Sequence, residues 1–406
     1  MLALKLFEKY IPYALPFLLV FFRGLADFTV LLVGLMFLFK SYKETNWTWI
    51  NETWFKFSLL FVIYLSTFNT FLSINPSDSF LYALTFLRWP IFASALYFWI
   101  FKKNAALKKF LLSSSIIIIF LIFDTWYQFF IGADIFGFAK YSETRLTGPL
   151  RNNPVIGIFI TKYLFILLSS LLIFKVFKNK RISFFYTITI IFLGFATVFI
   201  TGERMTLILF ISFIFILFLG FGNSTNEKMI FFITILFFFV FFTKIIQYTN
   251  PEISERAITS SIYKLQNFKE SDYGMVFRTA YEAWLFNPIF GGGLHQFRDI
   301  YLLYDINIWP DVRILHPHNH PLSLLVETGI AGLILFYLMI FYIFKTALNS
   351  IIKKKKWFKL SILFNMLYLC FFPFMTHFSF QHNWMNATTW LIVGIVLTLS
   401  DDRKNV

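Results

Sequence analysis

A chain of 406 residues that is 58% apolar and only 14% charged, with 60 phenylalanines, cannot be an ordinary soluble globule and reads as a polytopic membrane protein. Its net charge of +15 is spread over short lysine-rich connections instead of a soluble face with interleaved aromatics, which argues against a nucleic-acid partner. The single cysteine, Cys370, lies inside an apolar run and excludes intrachain disulfides and thiolate metal clusters.

Apolar runs of about 20 residues, each able to cross roughly 30 Å of hydrocarbon, recur from end to end. Hydropathy with Gly, Pro and charge breaks predicts about twelve transmembrane helices, at 11–22, 26–39, 55–73, 80–101, 109–131, 155–174, 182–200, 205–222, 229–247, 322–344, 360–376 and 386–400. The first two are expected to be short and tilted or hairpinned. The first is expected to be retained, because Arg23 and Asp27 follow it without a small-residue cleavage pattern. No polar stretch is long enough for a soluble domain, so 1–406 reads as one all-α integral domain, with 248–321 a large outer loop between the ninth and tenth helices. Within that loop Asp272 to Asn287 carries Met275, Phe277, Tyr281, Trp284 and Leu285 at helical spacing, stops at Pro288 and leads into Gly291, Gly292 and Gly293. This predicts an amphipathic helix on the outer face or capping a cavity, with Arg278 one turn from Glu282.

Lysines mark alternate connections: Lys40 and Lys43, Lys102 to Lys109, Lys175 to Lys180, Lys228, and Lys353 to Lys356. Positive residues stay on the cytoplasmic side, so both termini are expected inside. The opposite connections, about 132–154, 201–204, 248–321 and 377–385, hold all six histidines. Eight of eleven arginines also fall on that side: Arg23, Arg145, Arg151, Arg204, Arg256, Arg278, Arg298 and Arg313. A cation kept on the wrong side has a local partner, and the planar guanidinium suits phosphate or carboxylate. The plain alternative is structural pairing with Asp134, Glu143, Glu203, Glu255, Asp272 or Glu282.

Three groups carry candidate chemistry. The run His316-Pro317-His318-Asn319-His320 precedes an apolar helix containing Gly329 and Gly332, and its imidazoles titrate near neutrality. In an extended strand the three rings would face one way and could hold a metal, but no further ligand is evident. Capping of the following helix is the bland reading, and a base, acid or phosphate-ligand role the sharper one. Arg204 opens a helix whose first-turn amides already favour an anion, with Glu203 placed to orient it; a snorkelling arginine is the alternative. Arg88, Asp124 and Lys162 lie inside apolar spans, where ionisable groups face polar cavities or pair with one another. No DxD pair, Walker loop, GxSxG elbow or Rossmann glycine run is present. Chemistry driven by a cytoplasmic nucleotide is thereby disfavoured, and a donor already activated in the membrane, such as a lipid pyrophosphate, fits instead.

At these residues the chain resembles the bacterial O-antigen ligase and O-antigen polymerase superfamily of membrane glycosyltransferases. His318-Asn319 followed by Gly329-Ile-Ala-Gly332 resembles the family's histidine signature. Arg278 with Trp284, Pro288, Gly291 and Gly293 resembles its preceding loop helix. Asp124, Gln128, Gly132, Asp134 and Gly137, then Arg145-Leu-Thr-Gly-Pro149 and Asn153-Pro154, are similar to its middle segment. Thr201-Gly-Glu-Arg204 resembles its arginine turn, although a small residue more often stands where Glu203 does. The resemblance implies a GT-C-like fold in the bacterial inner membrane. It implies inverting, metal-independent and cofactor-free transfer of a glycan from undecaprenyl pyrophosphate to an acceptor at the periplasmic face. In that reading Arg204 and Arg278 stabilise the leaving phosphate and His318 takes the acceptor proton or binds phosphate. Arg88, Arg145, Lys162, Asn319 and Glu203 then contact substrate. The acceptor is expected to be a lipid A core sugar, since the chain ends soon after its last helix without the extra C-terminal region of protein-glycosylating relatives. A second carrier-linked glycan is the runner-up, a protein hydroxyl follows, and a transporter is the alternative from another class.

Overall fold

The computed structural model describes residues 2–222, 224–304, 306, 314, 316–374 and 381–401. Arg313 and His377 lie outside the described residues. The described residues are mostly helical and contain no strand; isolated bridges join Ala133 to Ala139 and Ser142 to Arg145. The helices, in chain order, are α1 Leu2–Phe21, α2 Arg23–Lys43, α3 Thr53–Tyr64, α4 Pro76–Phe86, α5 Arg88–Ala95, α6 Asn104–Ile131, α7 Ile156–Leu168, α8 Lys180–Ile200, α9 Arg204–Gly220 and α10 Thr225–Thr249. There follow α11 Pro251–Ser254, α12 Ser260–Gln266, α13 Asp272–Trp284, α14 Phe297–Leu303, α15 His320–Lys353, α16 Trp357–Phe371 and α17 Asn383–Ser400. π-helical turns at Leu65–Asn69, Leu96–Ile100 and Glu255–Thr259 extend α3 and α5 and join α11 to α12.

The expected apolar runs overlap helices, although the run at 80–101 is shared by α4, α5 and a π turn and α16 ends at Phe371, short of 376. Among the described residues six helical stretches are long and apolar enough to cross a membrane, Arg23–Lys43, Pro76–Ile100, Asn104–Ile131, Lys180–Ile200, Thr225–Thr249 and His320–Lys353, while 156–172, 204–220 and 357–371 are shorter apolar helices. The first two helices are not short: α1 and α2 have 20 and 21 residues, folded against each other at Phe22. Charged residues such as Lys5, Lys40 and Lys43 look like breaks in a hydropathy profile, but their apolar stems let the helix run past them.

One large core joins the long helices, with α1 packed on α6, α3 on α15, α9 on α16 and α5 on α17. The outer segment has a small core of its own, in which Val276, Ala280 and Ala283 of α13 meet Phe297, Ile300 and Tyr301 of α14, and Val326. Ser271 caps α13, its hydroxyl accepting from Gly274 N at 3.2 Å, and the helix ends at Trp284 ahead of Pro288.

The glycine motifs have a common explanation. α15 is broken at Gly329, whose φ of +65° and ψ of −175° no helix contains. The Gly291–Gly293 turn inserts at the break: Gly292 N donates to Val326 O (2.9 Å), Gly293 N to Glu327 O (3.0 Å), and Ile330 N to Pro288 O (2.9 Å). A Cβ on Gly329 would stand 2.2 Å from Ile289 O, and one on Gly291 2.5 Å from Gly329 N, so both must be glycine. Tyr64 Oη and Asn69 Nδ2 donate to the Thr328 and Glu327 carbonyls that the break frees (2.7 and 2.8 Å). The interlock fixes the short N-terminal half of α15, and with it the histidine run.

Candidate functional site

At the end of the bundle opposite the lysine-rich turns, a cavity of about 310 Å³ opens between α7, α9, the π turn and the histidine run. It is lined by Arg145, Arg204, Arg256, Tyr273 and His318, and by the α9 start from Gly202 to Thr206. The guanidiniums are held by carbonyls: Arg204 Nε donates to Arg256 O (3.1 Å), Arg256 Nε to Gly202 O (3.1 Å), and Arg145 Nη2 to Pro154 O. Among the described residues no carboxylate lies within ion-pair distance of any of the three, and Arg145 Nε is buried without a hydrogen-bond partner. Burial and the facing charges of Arg204 and Arg145 pull the Arg256 guanidinium down to about 10. Three cations crowded at a helix start, where free amide groups add positive potential, describe an anion site.

Glu203 does not orient Arg204. Its carboxylate accepts from Gly157 N (2.6 Å), Ile158 N (3.2 Å) and Thr206 Oγ1 (2.8 Å), tying the start of α7 to the start of α9. Burial raises its carboxyl, opposed first by nearby Arg145. A carboxylate so fully occupied serves the frame, and a small residue could not make this tie.

The histidine run is not an extended strand. His318 has φ +52° and His320 is already the first residue of α15, so the three rings do not line one face of a strand. His316 Nδ1 accepts from His318 N (3.2 Å), and the two rings stand 4.1 Å apart. His318 faces the arginine cavity, while His316 faces a second cavity of about 480 Å³ with His295, His382, Tyr82 and Asn383. Burial, with the neighbouring His318, His382 and His320, drives His316 down to about 3, and desolvation also lowers His318. Both imidazoles are therefore neutral at pH 7. Among the described residues no group of three or more His, Cys, Asp or Glu is placed to hold a metal ion.

The remaining candidates lie elsewhere. Asn319 caps α15, accepting from Leu322 N (3.0 Å) and donating to Pro373 O (2.8 Å). Arg88 pairs with Asp27 (3.2 Å), donates to Asn383 Oδ1 (2.7 Å) and stacks on Trp89 (4.5 Å). Lys162 is buried in α7, its Nζ within 3.3 Å of Thr388 Oγ1 and 3.2 Å of Thr389 Oγ1, and lines neither cavity. Asp124 accepts from Ile135 N (2.8 Å), and Gln128 Oε1 accepts from Thr147 N and Gly148 N (both 2.9 Å), so these residues fold the 132–155 loop that carries Arg145. Arg278 is exposed on α13 and does not line the arginine cavity, and its expected pair with Glu282 is not formed. Tyr273 turns the cavity-facing side of α13 inward, and Arg278, five residues on, falls on another face. Arg256, singled out in the sequence only as a wrong-side arginine, stands in the cavity instead.

Fold and site together define a membrane protein, helical among the described residues, with an arginine-lined cavity and a neutral histidine at one end of the bundle. Residues 189–337, from α8 into α15, match the family model described as O-Antigen ligase. The match holds Arg204, Arg256, Arg278 and His318, whereas Arg145 lies before it. Members of that family are membrane glycosyltransferase-like enzymes acting on lipid-linked glycans. No curated protein matches the chain.

Proposed function

We propose that this protein transfers a glycan from undecaprenyl pyrophosphate to the hydroxyl of a lipid A core sugar, at the periplasmic face of the bacterial inner membrane. The observation that carries the reading is the convergence of Arg145, Arg204 and Arg256 on one cavity, held by carbonyls and not carboxylates, with His318 at its wall. The pyrophosphate sits among the guanidiniums, and the lipid tail stays in the bilayer. The neutral His318 imidazole accepts the proton of the acceptor hydroxyl, whose oxygen attacks the anomeric carbon. The bond from that carbon to the phosphate oxygen breaks, and the electron pair leaves with the pyrophosphate. Its growing charge is met by arginines fixed in place beforehand, the condition under which such stabilisation is strongest. Attack opposite the leaving group inverts the anomeric centre. Lysine-rich turns at the other end of the bundle support a cytoplasmic position for that end, and guanidinium charge fills the part a metal plays elsewhere.

The test is purified full-length protein in nanodiscs with carrier-linked glycan and two acceptors, lipid A core and a second carrier-linked glycan. Transfer to lipid A core, insensitive to excess chelator, is expected. Extension of the carrier-linked glycan alone would make it a polymerase, and transfer to neither would end the reading. In the host, deletion is expected to leave carrier-linked polymer unattached, whereas loss of a polymerase leaves single repeat units.

A further inference from the structure

The second cavity has a chemistry unlike that of the first. It shares the His316 and His318 pair as a partition, since His316 faces it and His318 faces the arginines, with ring centres 4.1 Å apart. Its volume of about 480 Å³ falls within the ~300–1,000 Å³ of small-ligand sites. Of its charged groups, Asp27 pairs with Arg88 at 3.2 Å, and Arg23 lies over the Trp384 ring at 4.7 Å. The rest of the wall is amide and imidazole, from Gln381, Asn383, His295, His316 and His382. Burial holds His316 and His382 down to about 3 and about 4, so both present a neutral ring. Such a wall is mostly neutral and polar, with one guanidinium, from Arg23, at its side, which suits hydroxyl groups better than the three-guanidinium cavity does.

His295 is the second observation. Its ring stacks on Tyr82, 4.6 Å between centres and 21° between planes, and the residue is otherwise exposed. The backbone there has φ +64°, the left-handed region that glycine takes freely and that few side-chain-bearing residues adopt, His among the commoner of them. Three glycines precede it at 291–293, so a glycine-rich turn carries an imidazole at a position where glycine would be easier. Strained residues of this kind gather where a side chain is needed in one place. Of the described non-glycine residues with positive φ, His295 and His318 line these adjoining cavities, one each.

We propose that this second cavity binds an uncharged sugar of the acceptor glycan, with the exposed, Tyr82-backed His295 ring as the platform. The ligand reaches the reacting base across the histidine partition, on the side away from the pyrophosphate. That the sugar belongs to the acceptor rests on the transferase reading, whereas sugar binding itself does not.

The experiment measures glycan binding apart from turnover. Full-length protein in nanodiscs is titrated calorimetrically with two probes, core oligosaccharide released from the host's lipid A by mild acid and repeat-unit glycan freed of its pyrophosphate. Wild type is expected to bind at least one. His295→Gly, which relieves the backbone while removing the ring, should weaken that binding tenfold or more without lowering the melting temperature, and Tyr82→Ala should weaken it similarly. Arg204→Ala should bind the free glycan as wild type does. In transfer assays His295→Gly should raise KM for acceptor and leave KM for donor unchanged. Binding of neither probe by wild type, wild-type binding by both His295→Gly and Tyr82→Ala, or loss of free-glycan binding in Arg204→Ala overturns the proposal. Glycan binding that depends on His295 in a protein that transfers nothing would instead overturn the transferase reading and leave the sugar site standing.

Discussion

Arg88 and the Arg145, Arg204 and Arg256 cluster lie at the same end of the bundle and differ in what answers their charge. Arg88 has the Asp27 carboxylate, Asn383 and the Trp89 ring, though its Nε, like that of Arg145, is buried without a hydrogen-bond partner. Among the described residues the cluster is held by carbonyls, and Glu203, the carboxylate near Arg145, is committed to the α7 amides. A carbonyl fixes a guanidinium without cancelling its charge. The first arrangement holds a fold together, and the second holds a positive field in reserve for an anion.

The largest effect expected is at His318. Its Ala variant should fold and lose transfer by about 10²- to 10⁴-fold, the usual contribution of a general base. Because the ring's proton affinity is lowered, the active neutral form persists as pH falls, and the acid limb of kcat/KM should lie below pH 6.5, the ordinary imidazole value. An acid limb above that value would mean that the ring binds phosphate as a cation instead.

Next come Arg204→Ala and Arg256→Ala, each expected to cut kcat by about 10²- to 10³-fold, in line with the loss of one charge-stabilising donor. Lysine at either place should restore only part, because it lacks the planar fork. Equal activity in all of these would erase the distinction between cluster and frame.

Arg88→Met should separate the two in the other direction. It leaves Asp27 without its partner and should lower the melting temperature. The cost should stay below the ~3–5 kcal/mol of a fully buried pair, because both side chains keep some solvent contact. Transfer per folded molecule should change little, and Asp27→Asn added to Arg88→Met should recover part of the stability. The smallest effect belongs to Arg278→Ala, within about ±0.5 kcal/mol in stability as for surface sites and near wild type in transfer. A loss there as deep as for Arg256→Ala would return Arg278 to the role its motif suggested.

These contrasts also show what the sequence could and could not carry. The helices were legible because a span needs a run of about 20 apolar residues, and such runs survive in any reading of composition. Arg204 and His318 were legible as polar groups at helix starts on the arginine-rich side. Arg256 was not, because it stands on a π turn and meets Arg204 only when the outer segment folds back over α9, a contact that no periodicity encodes. The α13 helix was foreseen nearly to its ends, yet the face it turns inward was not. Val276, Ala280 and Ala283 pack on α14 while Tyr273 looks into the cavity, and Arg278 is left outside. The glycines of both motifs read as signature residues and proved to be one interlock across the break in α15. Tyr82, His295 and Asn383 come from three distant segments, and only their meeting in space makes them a site.

The most direct measurement is the affinity of undecaprenyl pyrophosphate, carrying no sugar, for the full-length protein in nanodiscs, compared between wild type and Arg256→Ala. The arginine cluster as pyrophosphate seat requires a fall of about 1.5–3 kcal/mol or more, the range for a hydrogen bond to a charged group, in a variant that melts as wild type does. Undiminished binding by that variant would show that the carrier's phosphates rest somewhere else.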